Sequence, residues 1–409
     1  MIHRSSEPLV PVFRTCSYYL AAKRRYCKQL ATTDSEYCVH HNGRVPYDCC
    51  TCRFCRTIIP SHRVRKHSEK CPAHLRKIRT RTESFFRMNT NVPAKVKNVP
   101  RAKPLDSKEI LELINRVEEA FVVCCAELES KVAHIVQSGV GATSEQQVAA
   151  FNVDSEQCRS IAEKLITFLP DIRFCQTDTT LVELCAGRGY LSSEILRQLP
   201  LPRLVLVDRR PFRFKADRFL KRQYETHRWT VDLKDLDLYR SQVLAKSKVL
   251  VVGKHLCGEA TDYALRCAVE SKCNSTGPDT PKLRSLYGLG LAPCCHHSCR
   301  WLTFINTPFL ERLGINEVMF PCLARMSSWA TLSDSHGCKS SRSDNTYSSL
   351  LPNTKLQRHE KVVIGRKIKF ILNTARVVWL REKGFDAHLD MYVDLKLTPE
   401  NMLILARCL

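Results

Sequence analysis

The feature that most constrains this fold is an apolar run that ends on an acid and opens into two glycines. It occupies residues 180–191, where Glu183 precedes Gly187 and Gly189, and the apolar residues after it recur at helical spacing. Glycine lets the backbone approach a ligand closely, and the first turn of a helix offers free N–H groups. The stretch therefore predicts a strand, a turn and a helix, with a ligand held at the turn.

Two further apolar runs end on carboxylates, one at Asp208 and a shorter one at Asp232. A carboxylate at the end of a second strand is where nucleotide-binding α/β folds hold ribose hydroxyls. Cys185 stands where a dinucleotide fingerprint has its first glycine, but an acid on either side of the turn is the usual layout for S-adenosylmethionine in Rossmann-like methyltransferases. Asp232 would accept from the adenine amino group. The predicted cofactor-binding residues are Glu183, Gly187, Gly189, Asp208 and Asp232.

Four more apolar runs complete the predicted sheet, at residues 248–253, 286–291, 385–393 and 402–406. The last two form a pair around a turn, which is common at the end of such sheets. The predicted class is α/β, a Rossmann-like class I methyltransferase whose doubly wound sheet has an antiparallel last strand. Small zinc-binding modules and a helical segment precede it.

Shifts in composition and periodicity divide the chain into five parts. Residues 76–105 are rich in Arg, Lys and Pro, which predicts a basic, solvated linker. Ser, Asn and Asp without periodicity predict a mobile surface insertion near 326–358. The predicted parts are a Cys-Cys-Cys-His zinc finger at 1–46, a second Cys/His module at 47–75, the linker, a helical segment at 106–175 and the methyltransferase domain at 176–409.

The charge balance narrows the class of partner. There are 64 Lys and Arg against 41 Asp and Glu, a net charge of +23, so a polyanion is expected. Nucleic acid is favoured over a membrane, because no apolar run approaches the roughly 20 residues of a spanning helix. The N-terminus lacks the apolar core of a signal peptide. We therefore expect a nuclear or cytoplasmic protein, neither secreted nor membrane-bound, whose 22 cysteines are thiols, metal ligands or buried side chains.

Two clusters of cysteine and histidine near the N-terminus have the spacing of zinc ligands. Soft sulfur and imidazole ligands suit tetrahedral zinc, and a stretch with few apolar residues needs such a metal to fold. His40 is an alternative to His41 in the first set, and Cys49, Cys50 and His62 are alternatives in the second. The predicted ligands are Cys16, Cys27, Cys38 and His41 in the first cluster, and Cys52, Cys55, His67 and Cys71 in the second.

Cysteine and histidine recur at the ends of the fourth and fifth predicted strands. One strand leads into Lys254 and His255, and the next leads into residues 294–299, which contain His296 and His297. Ligands of a doubly wound sheet sit beyond the carboxyl ends of its strands, so both segments are expected at one rim. This group of cysteines and histidines at one edge of the predicted sheet is the strongest indication of chemistry in the chain.

These motifs resemble the eukaryotic tRNA 2′-O-methyltransferases that modify the fourth nucleotide of the acceptor stem. The resemblance rests on residues 183–192, 253–262, 294–299 and 398–401, and it extends over nearly the whole chain. It implies transfer of a methyl group from S-adenosylmethionine to a ribose 2′-OH of tRNA, by a protein with N-terminal fingers. The chain departs from the family at Cys185, which replaces a loop glycine, and in the second finger, where a cysteine cluster replaces a Cys-His-His-Cys pattern.

Ribose methylation needs a proton acceptor, because a 2′-OH is a weak acid and the sulfonium methyl is already a good electrophile. The predicted catalytic residues are Lys254, His255, His296 and His297. His255 or His296 would act as the base, and Lys254 would orient the hydroxyl or a phosphate. A structural metal site of the two histidines with Cys294, Cys295 and Cys299 is the alternative role for that segment.

Two other functions are compatible with the sequence. A cytosine-C5 RNA methyltransferase would attack the base with a strand-end cysteine, Cys257 or Cys294. A zinc-finger RNA-binding protein would keep a degenerate methyltransferase fold in which Cys185 blocks the cofactor. Both keep RNA as the partner, and the oligomeric state stays open.

Overall fold

The computed structural model describes residues 14–20, 23, 25–42, 49–94, 105–128, 132, 136, 150–212, 216–245, 247–269, 285–331 and 356–408. The chain divides into two compact units, Met1–Glu83 and Ser84–Leu409. None of the helices in these ranges is long and apolar enough to cross a membrane.

The first unit consists of two short hairpins and two helices. β1 (Tyr19–Leu20) pairs with β2 (Arg25–Tyr26), and β3 (Cys49–Thr51) pairs with β4 (Ile58–Pro60), both antiparallel. α1 (Val64–Lys70) and α2 (Pro72–Thr82) follow, separated by Cys71. Pro72 ends one helix and begins the next, since proline lacks the N–H that a helix interior needs but fits the first turn.

The second unit alternates strands and helices around one sheet. Its strands are β5 (Thr179–Leu184), β6 (Arg203–Asp208), β7 (Glu225–Thr230), β8 (Lys248–Cys257), β9 (Ser285–Cys294), β10 (Phe385–Met391) and β11 (Met402–Cys408). Its helices are α3 (Ser107–Leu128), α4 (Ala150–Phe168), α5 (Tyr190–Gln198), α6 (Asp217–Leu220), α7 (Glu259–Val269), α8 (Thr307–Arg312), α9 (Phe320–Met326) and α10 (Arg358–Glu382).

Short 3₁₀ helices fill many of the connections between these elements. In the first unit the described one is Ser61–Arg63. In the second unit they are Pro170–Asp178, Leu233–Asp235, Leu238–Arg240, Gln242–Leu244, His296–Ser298, Trp301–Thr303 and Ser327–Thr331.

The sheet has the order β10-β11-β9-β8-β5-β6-β7. β5 to β9 run parallel, and β11 is antiparallel to both of its neighbours. The predicted doubly wound sheet with an antiparallel last strand is therefore confirmed. The strand order reverses between β5 and β8, which is where ligands bind beyond the carboxyl ends of such sheets.

Apolar side chains cover both faces of the sheet. Alternate residues of one strand enter different cores: Leu181 packs with α4 and α5, whereas Val182 packs on the side of α3 and α10. α10 is buried almost all round from Ile364 to Leu380, because it lies between the sheet and α3. Phe121 of α3 meets Phe370 of α10 edge to face, with ring centroids 5.3 Å apart.

The predicted linker at 76–105 contains ordered structure and is corrected in that respect. α2 continues to Thr82, and Phe85 stacks on Trp229 with ring centroids 4.4 Å apart. The Asn91 side chain donates to the carbonyls of Leu233 and Leu236, at 2.6 and 2.8 Å. The basic composition of this segment suggested a solvated chain, although Phe85 and Asn91 attach it to the rest of the second unit. Residues 95–104 lie outside the described residues.

The predicted insertion near 326–358 is also corrected at both ends. Ser327–Thr331 forms a 3₁₀ helix in which Trp329 is buried, and α10 already begins at Arg358. Gly365 lies so close to this helix that an added Cβ would meet the Ala330 nitrogen at 2.3 Å. Both ends therefore belong to the core, and residues 332–355 lie outside the described residues.

Candidate active site and metal centres

A cleft of about 710 Å³ opens at the carboxyl ends of β5, β6 and β8, at the reversal of strand order. It is lined by Glu183, Gly187, Asp208 and Asp232 among the predicted cofactor residues, and by Lys254 and His255 among the predicted catalytic residues. The sequence placed these residues on four different strand ends. The fold therefore brings most of the predicted site to one cavity.

The turn after β5 is built from backbone that needs glycine at two positions. Gly187 has φ 49° and Gly189 has φ 83°, the left-handed region that side chains rarely adopt. A Cβ on Gly187 would meet nothing within 4 Å, whereas one on Gly189 would lie 3.4 Å from the Leu206 side chain. Gly187 therefore borders the open cleft, and Gly189 begins α5 against β6.

Glu183 is a buried carboxyl group beneath this turn. Ser192, in the first turn of α5, donates to it through its backbone N–H at 3.0 Å and its hydroxyl at 2.5 Å. Burial raises the pKa of Glu183 to about 7, against the effect of these two hydrogen bonds. Glu183 also lines the cleft.

Asp208 and Asp232 mark the ends of the next two strands. Asp208 accepts from the backbone N–H groups of Gly187 at 3.0 Å and Arg210 at 2.9 Å. Asp232 accepts from the backbone N–H of Lys234 at 3.2 Å. Each carboxylate is thus fixed in place by the backbone and still has lone pairs directed to other donors.

Lys254 is occupied by partners of its own. Its side chain is 8% exposed, and its ammonium group is paired with the Asp154 carboxylate and donates to Gln157 Oε1 at 3.0 Å. Both partners lie on α4, about 100 residues earlier in the chain, and the sequence analysis missed them. A pairing at that separation leaves no local signal. Lys254 therefore holds Asp154 at the cleft.

His255 is the extra residue of a β-bulge. In the pairing of β8 with β9, Lys254 lies opposite Ala292 and Leu256 opposite Pro293, so His255 has no opposite residue. It adopts φ 61°, and the residue is exposed where it lines the cleft. Partial desolvation of the imidazole by the surrounding protein, together with the nearby Lys254 ammonium, lowers the pKa of His255. Bulges re-aim side chains next to active sites.

The other two predicted histidines lie elsewhere. His296 is 2% exposed, its Nε2 is 3.0 Å from Asn373 Oδ1 on α10, and burial lowers its pKa well below the usual value. His297 is exposed but does not line the cleft. The structure therefore separates His255 from the double histidine and shows that His296 is a core residue. The sequence could not indicate this, because its partner on α10 is 77 positions away.

Cys185 lines the same cleft. It has φ 55°, and burial raises the pKa of its thiol to about 12. Three of the non-glycine residues with left-handed φ in the second unit are at these strand ends: Cys185, His255 and Cys295. Such conformations cost free energy and are concentrated at functional sites.

The first metal centre brings together the side chains of Cys16, Cys27, Cys38 and His41. Their ligand atoms lie within 4.8 Å of one another, and all four residues are buried. His41 Nδ1 is 3.3 Å from Cys38 Sγ, and the His41 ring stacks on Tyr18 at 4.1 Å. The alternative His40 is exposed and outside the group. Three sulfurs and one nitrogen at this spacing fit tetrahedral zinc.

The second metal centre contains Cys52, Cys55, His67 and Cys71. Their ligand atoms also lie within 4.8 Å of one another, with Cys55 Sγ 3.3 Å from His67 Nε2. The alternatives Cys50 and His62 are not in this group, and the side chain of Cys49 lies outside the described residues. The hairpin β3–β4 supplies two ligands, and α1 with the residue after it supplies the other two. This donor set also fits zinc.

Comparison with known proteins gives matches over almost the whole chain. The model described as "Methyltransferase TRM13" matches residues 160–407, and that described as "CCCH zinc finger in TRM13 protein" matches residues 14–42. The "tRNA:m(4)X modification enzyme TRM13 homolog" of Homo sapiens is 25% identical over 469 aligned positions, covering 98% of this chain and 95% of the relative.

Two more matches are a fungal relative and a solved structure. The "tRNA:m(4)X modification enzyme TRM13" of Schizosaccharomyces pombe is 33% identical over 241 positions, 55% of this chain and 60% of the relative. Among solved structures, the plantazolicin methyltransferase BpumL in complex with SAH is 11% identical with a TM-score of 0.31, covering 74% of this chain and 100% of that chain.

Proposed function

Because this chain belongs to the TRM13 family of methyltransferases, we propose that it transfers a methyl group from S-adenosylmethionine to a ribose 2′-OH of tRNA, at nucleotide 4 of the acceptor stem. The observation that carries the proposal is the cleft at the reversal of strand order, which is lined by the three predicted cofactor carboxylates and by His255. The tRNA substrate and the position are those in the names of the relatives.

The cleft has the groups that S-adenosylmethionine requires. Asp208 would accept from ribose hydroxyls, Asp232 from the adenine amino group, and Glu183 from the ammonium of the methionine part. Gly187 leaves its side of the cavity open, since a Cβ there would project into free space. When bound, the cofactor supplies an electrophilic methyl group.

His255 is the residue that we assign as the proton acceptor. Its lowered pKa keeps the imidazole neutral at pH 7, and a neutral imidazole can take the proton of a 2′-OH as its oxygen attacks the methyl. The bulge fixes the ring at the cleft, which aligns the acceptor with the reacting oxygen. Lys254 acts as a positioning residue, because its ammonium group is already used by Asp154 and Gln157.

The first unit offers a surface for the rest of the tRNA. A cavity of about 370 Å³ is lined by Arg53, Phe54, His74, Lys77, Ile78 and Arg81. Phe54 and His74 stack at 4.0 Å, and the Arg53 guanidinium lies 4.7 Å from the Phe54 ring centroid. Cations beside stacked rings bind phosphates and unpaired bases.

A tRNA substrate also implies the nucleus or the cytoplasm as the compartment.

One observation favours a second function. Cys257 lines the cleft, so an attack on cytosine C5 by a strand-end cysteine is the rival reaction. Its sulfur is already 3.1 Å from Cys294 Sγ, which leaves it less available as a nucleophile than a lone thiol. We therefore place ribose methylation first.

The test is to incubate the full protein with tRNA and methyl-labelled S-adenosylmethionine and to digest the product to nucleosides. We expect the label in 2′-O-methylnucleosides. Label in 5-methylcytidine, together with a covalent adduct on RNA containing 5-fluorocytidine, would establish the rival reaction. Binding of tRNA without binding of S-adenosylmethionine would instead identify an RNA-binding protein with a degenerate methyltransferase fold.

A further inference from the structure

Three cysteines form a cluster at the rim of the sheet, apart from the two N-terminal metal centres. Cys257 ends β8, Cys294 ends β9, and Cys295 follows it. Their sulfur atoms all lie within 4.8 Å of one another, and those of Cys257 and Cys294 are 3.1 Å apart. Neither methyl transfer nor the cofactor cleft requires three thiols at one point.

The backbone holds this cluster from two sides. Cys257 and Cys294 are opposite residues of adjacent parallel strands, so their side chains project from the same side of the sheet. Gly258, with φ 54°, donates its N–H to the Cys294 carbonyl at 3.2 Å. A Cβ on Gly258 would lie 2.6 Å from the Ser298 Cβ, so only glycine permits this approach. Cys295 adopts φ 50°, and its sulfur lies with the other two.

The two N-terminal centres provide an internal standard for such a cluster. In them, Cys27 Sγ and Cys38 Sγ are 4.0 Å apart, and Cys52 Sγ and Cys71 Sγ are 3.9 Å apart. Zn–S bonds of about 2.3 Å place the sulfurs of one tetrahedral site just under 4 Å from each other. The rim cluster also gathers its ligand atoms within 4.8 Å of one another, but its Cys257 and Cys294 sulfurs, at 3.1 Å, are closer than those pairs and would separate by about 0.7 Å around zinc. Unlike the N-terminal centres, it comes from elements that a large core already holds in place.

We propose that Cys257, Cys294 and Cys295 bind a zinc ion. Each thiol gives up its proton to solvent on binding, because the thiolate is the ligand, so three protons leave as one Zn²⁺ enters. Three protein ligands leave the fourth position of a tetrahedral site to water. Cys257 lines the cleft, which gives water access to that position.

The zinc ion would fasten the carboxyl ends of β8 and β9 together. His255 lies two residues before Cys257, in the bulge between these strands. A metal bridge across the strand ends would restrict the bulge and keep the imidazole at the cleft. The zinc site itself does not depend on the proposed methyl transfer, so failure of one leaves the other standing.

The experiment is to measure zinc per chain in the full protein, purified with reductant, by elemental analysis. We expect about three zinc ions, one for each group of ligands, and about two in Cys294→Ser and in Cys295→Ser. Cys125→Ser is the matched control, since Cys125 is a partly buried thiol on α3 outside all three groups, and it should keep about three. Far-UV circular dichroism checks that each variant is folded.

A second readout keeps the test independent of the variants. Cobalt(II) exchanged into the unmodified protein should give sulfur-to-cobalt absorption from three sites, and this absorption should fall in the two rim variants but not in Cys125→Ser. About two zinc ions in the unmodified protein, unchanged in the rim variants, would overturn the proposal. A Cys257–Cys294 disulfide found by mass spectrometry with zinc confined to the N-terminal centres would also overturn it.

Discussion

The first zinc module and the rim of the sheet use the same residue types in opposite ways. The buried cluster of the module consists of Cys16, Tyr18, Cys27 and Cys38, so its metal ligands are most of its core. The rim cysteines and His255 lie above a sheet whose apolar core exists without them. In the module the metal ligands form most of the core, so folding depends on them. At the rim the sheet folds around an apolar core and holds the cysteines at its edge.

Other cysteines show a third use of the same side chain. Cys124, Cys267 and Cys322 are fully buried among apolar residues of the second unit. Burial raises the pKa of Cys124 and Cys267 to about 12, so they stay protonated and pack as small apolar groups. Position in the fold, more than residue type, therefore decides what a cysteine does here.

Loss of zinc from the first module should give the largest effect. Structural zinc contributes about 10–16 kcal/mol in isolated fingers, far more than four buried side chains can replace. We expect Cys38→Ser to unfold residues 14–42 while the second unit melts at an unchanged temperature. Limited proteolysis with mass spectrometry locates the cleavages. Resistance of this stretch to protease in the variant would show that the module has a core independent of metal.

His255→Ala and His296→Ala should separate the rim from the core. His255 is exposed at the cleft, so its removal should lower kcat by about 10²–10⁴-fold with little change in melting temperature. His296 is buried against Asn373, so its removal should cost about 1–3 kcal/mol of stability. Single-turnover kinetics and thermal unfolding measure the two effects. The reverse pattern would move the proton acceptor to the double histidine.

Glu183→Gln should change cofactor binding and stability in opposite directions. Loss of a charged hydrogen bond should weaken S-adenosylmethionine about 10–100-fold. Because burial raises the pKa of Glu183 from 4.5 to about 7, the stability that its protonated form gives is complete below pH 4.5 and is lost as pH rises through 7. The cofactor-free variant should therefore gain on the order of 1–3 kcal/mol over the parent at pH 8, and little at pH 5.

Calorimetric titration and thermal unfolding at the two pH values check this prediction. Glu194→Gln is a suitable control, because Glu194 is a half-buried carboxylate of α5 whose pKa is lowered by Arg197. It should not gain stability at pH 8. An equal gain in both variants would mean that net charge, and not burial of Glu183, is the cause.

Lys77→Ala should give the smallest effect. Lys77 lines the basic cavity of the first unit, so its loss should weaken tRNA binding a few-fold and reduce the slope of log affinity against log salt by about 1. Fluorescence anisotropy at several salt concentrations measures both quantities. Lys66→Ala, on α1 and outside this cavity, is the control. Equal losses in both would indicate a diffuse charge effect.

The sequence predicted the sheet well and the rim only in part. Strands buried on both faces are continuous apolar runs, so the runs predicted at 248–253 and 286–291 fall within β8 and β9. The partners of Lys254 on α4 and the burial of His296 by α10 arise from contacts across 77 to 100 positions, which no local pattern marks. The bulge at His255 depends on pairing with β9 and was equally hidden.

The most direct test of the central claim is to map the methyl group on tRNA at nucleotide resolution, with the unmodified protein and His255→Ala side by side. We predict a 2′-O-methyl group at nucleotide 4 of the acceptor stem, lost or strongly reduced in the variant although it still binds tRNA and S-adenosylmethionine. A methyl group on a pyrimidine ring, or a 2′-O-methyl group that forms equally fast without His255, would contradict the account.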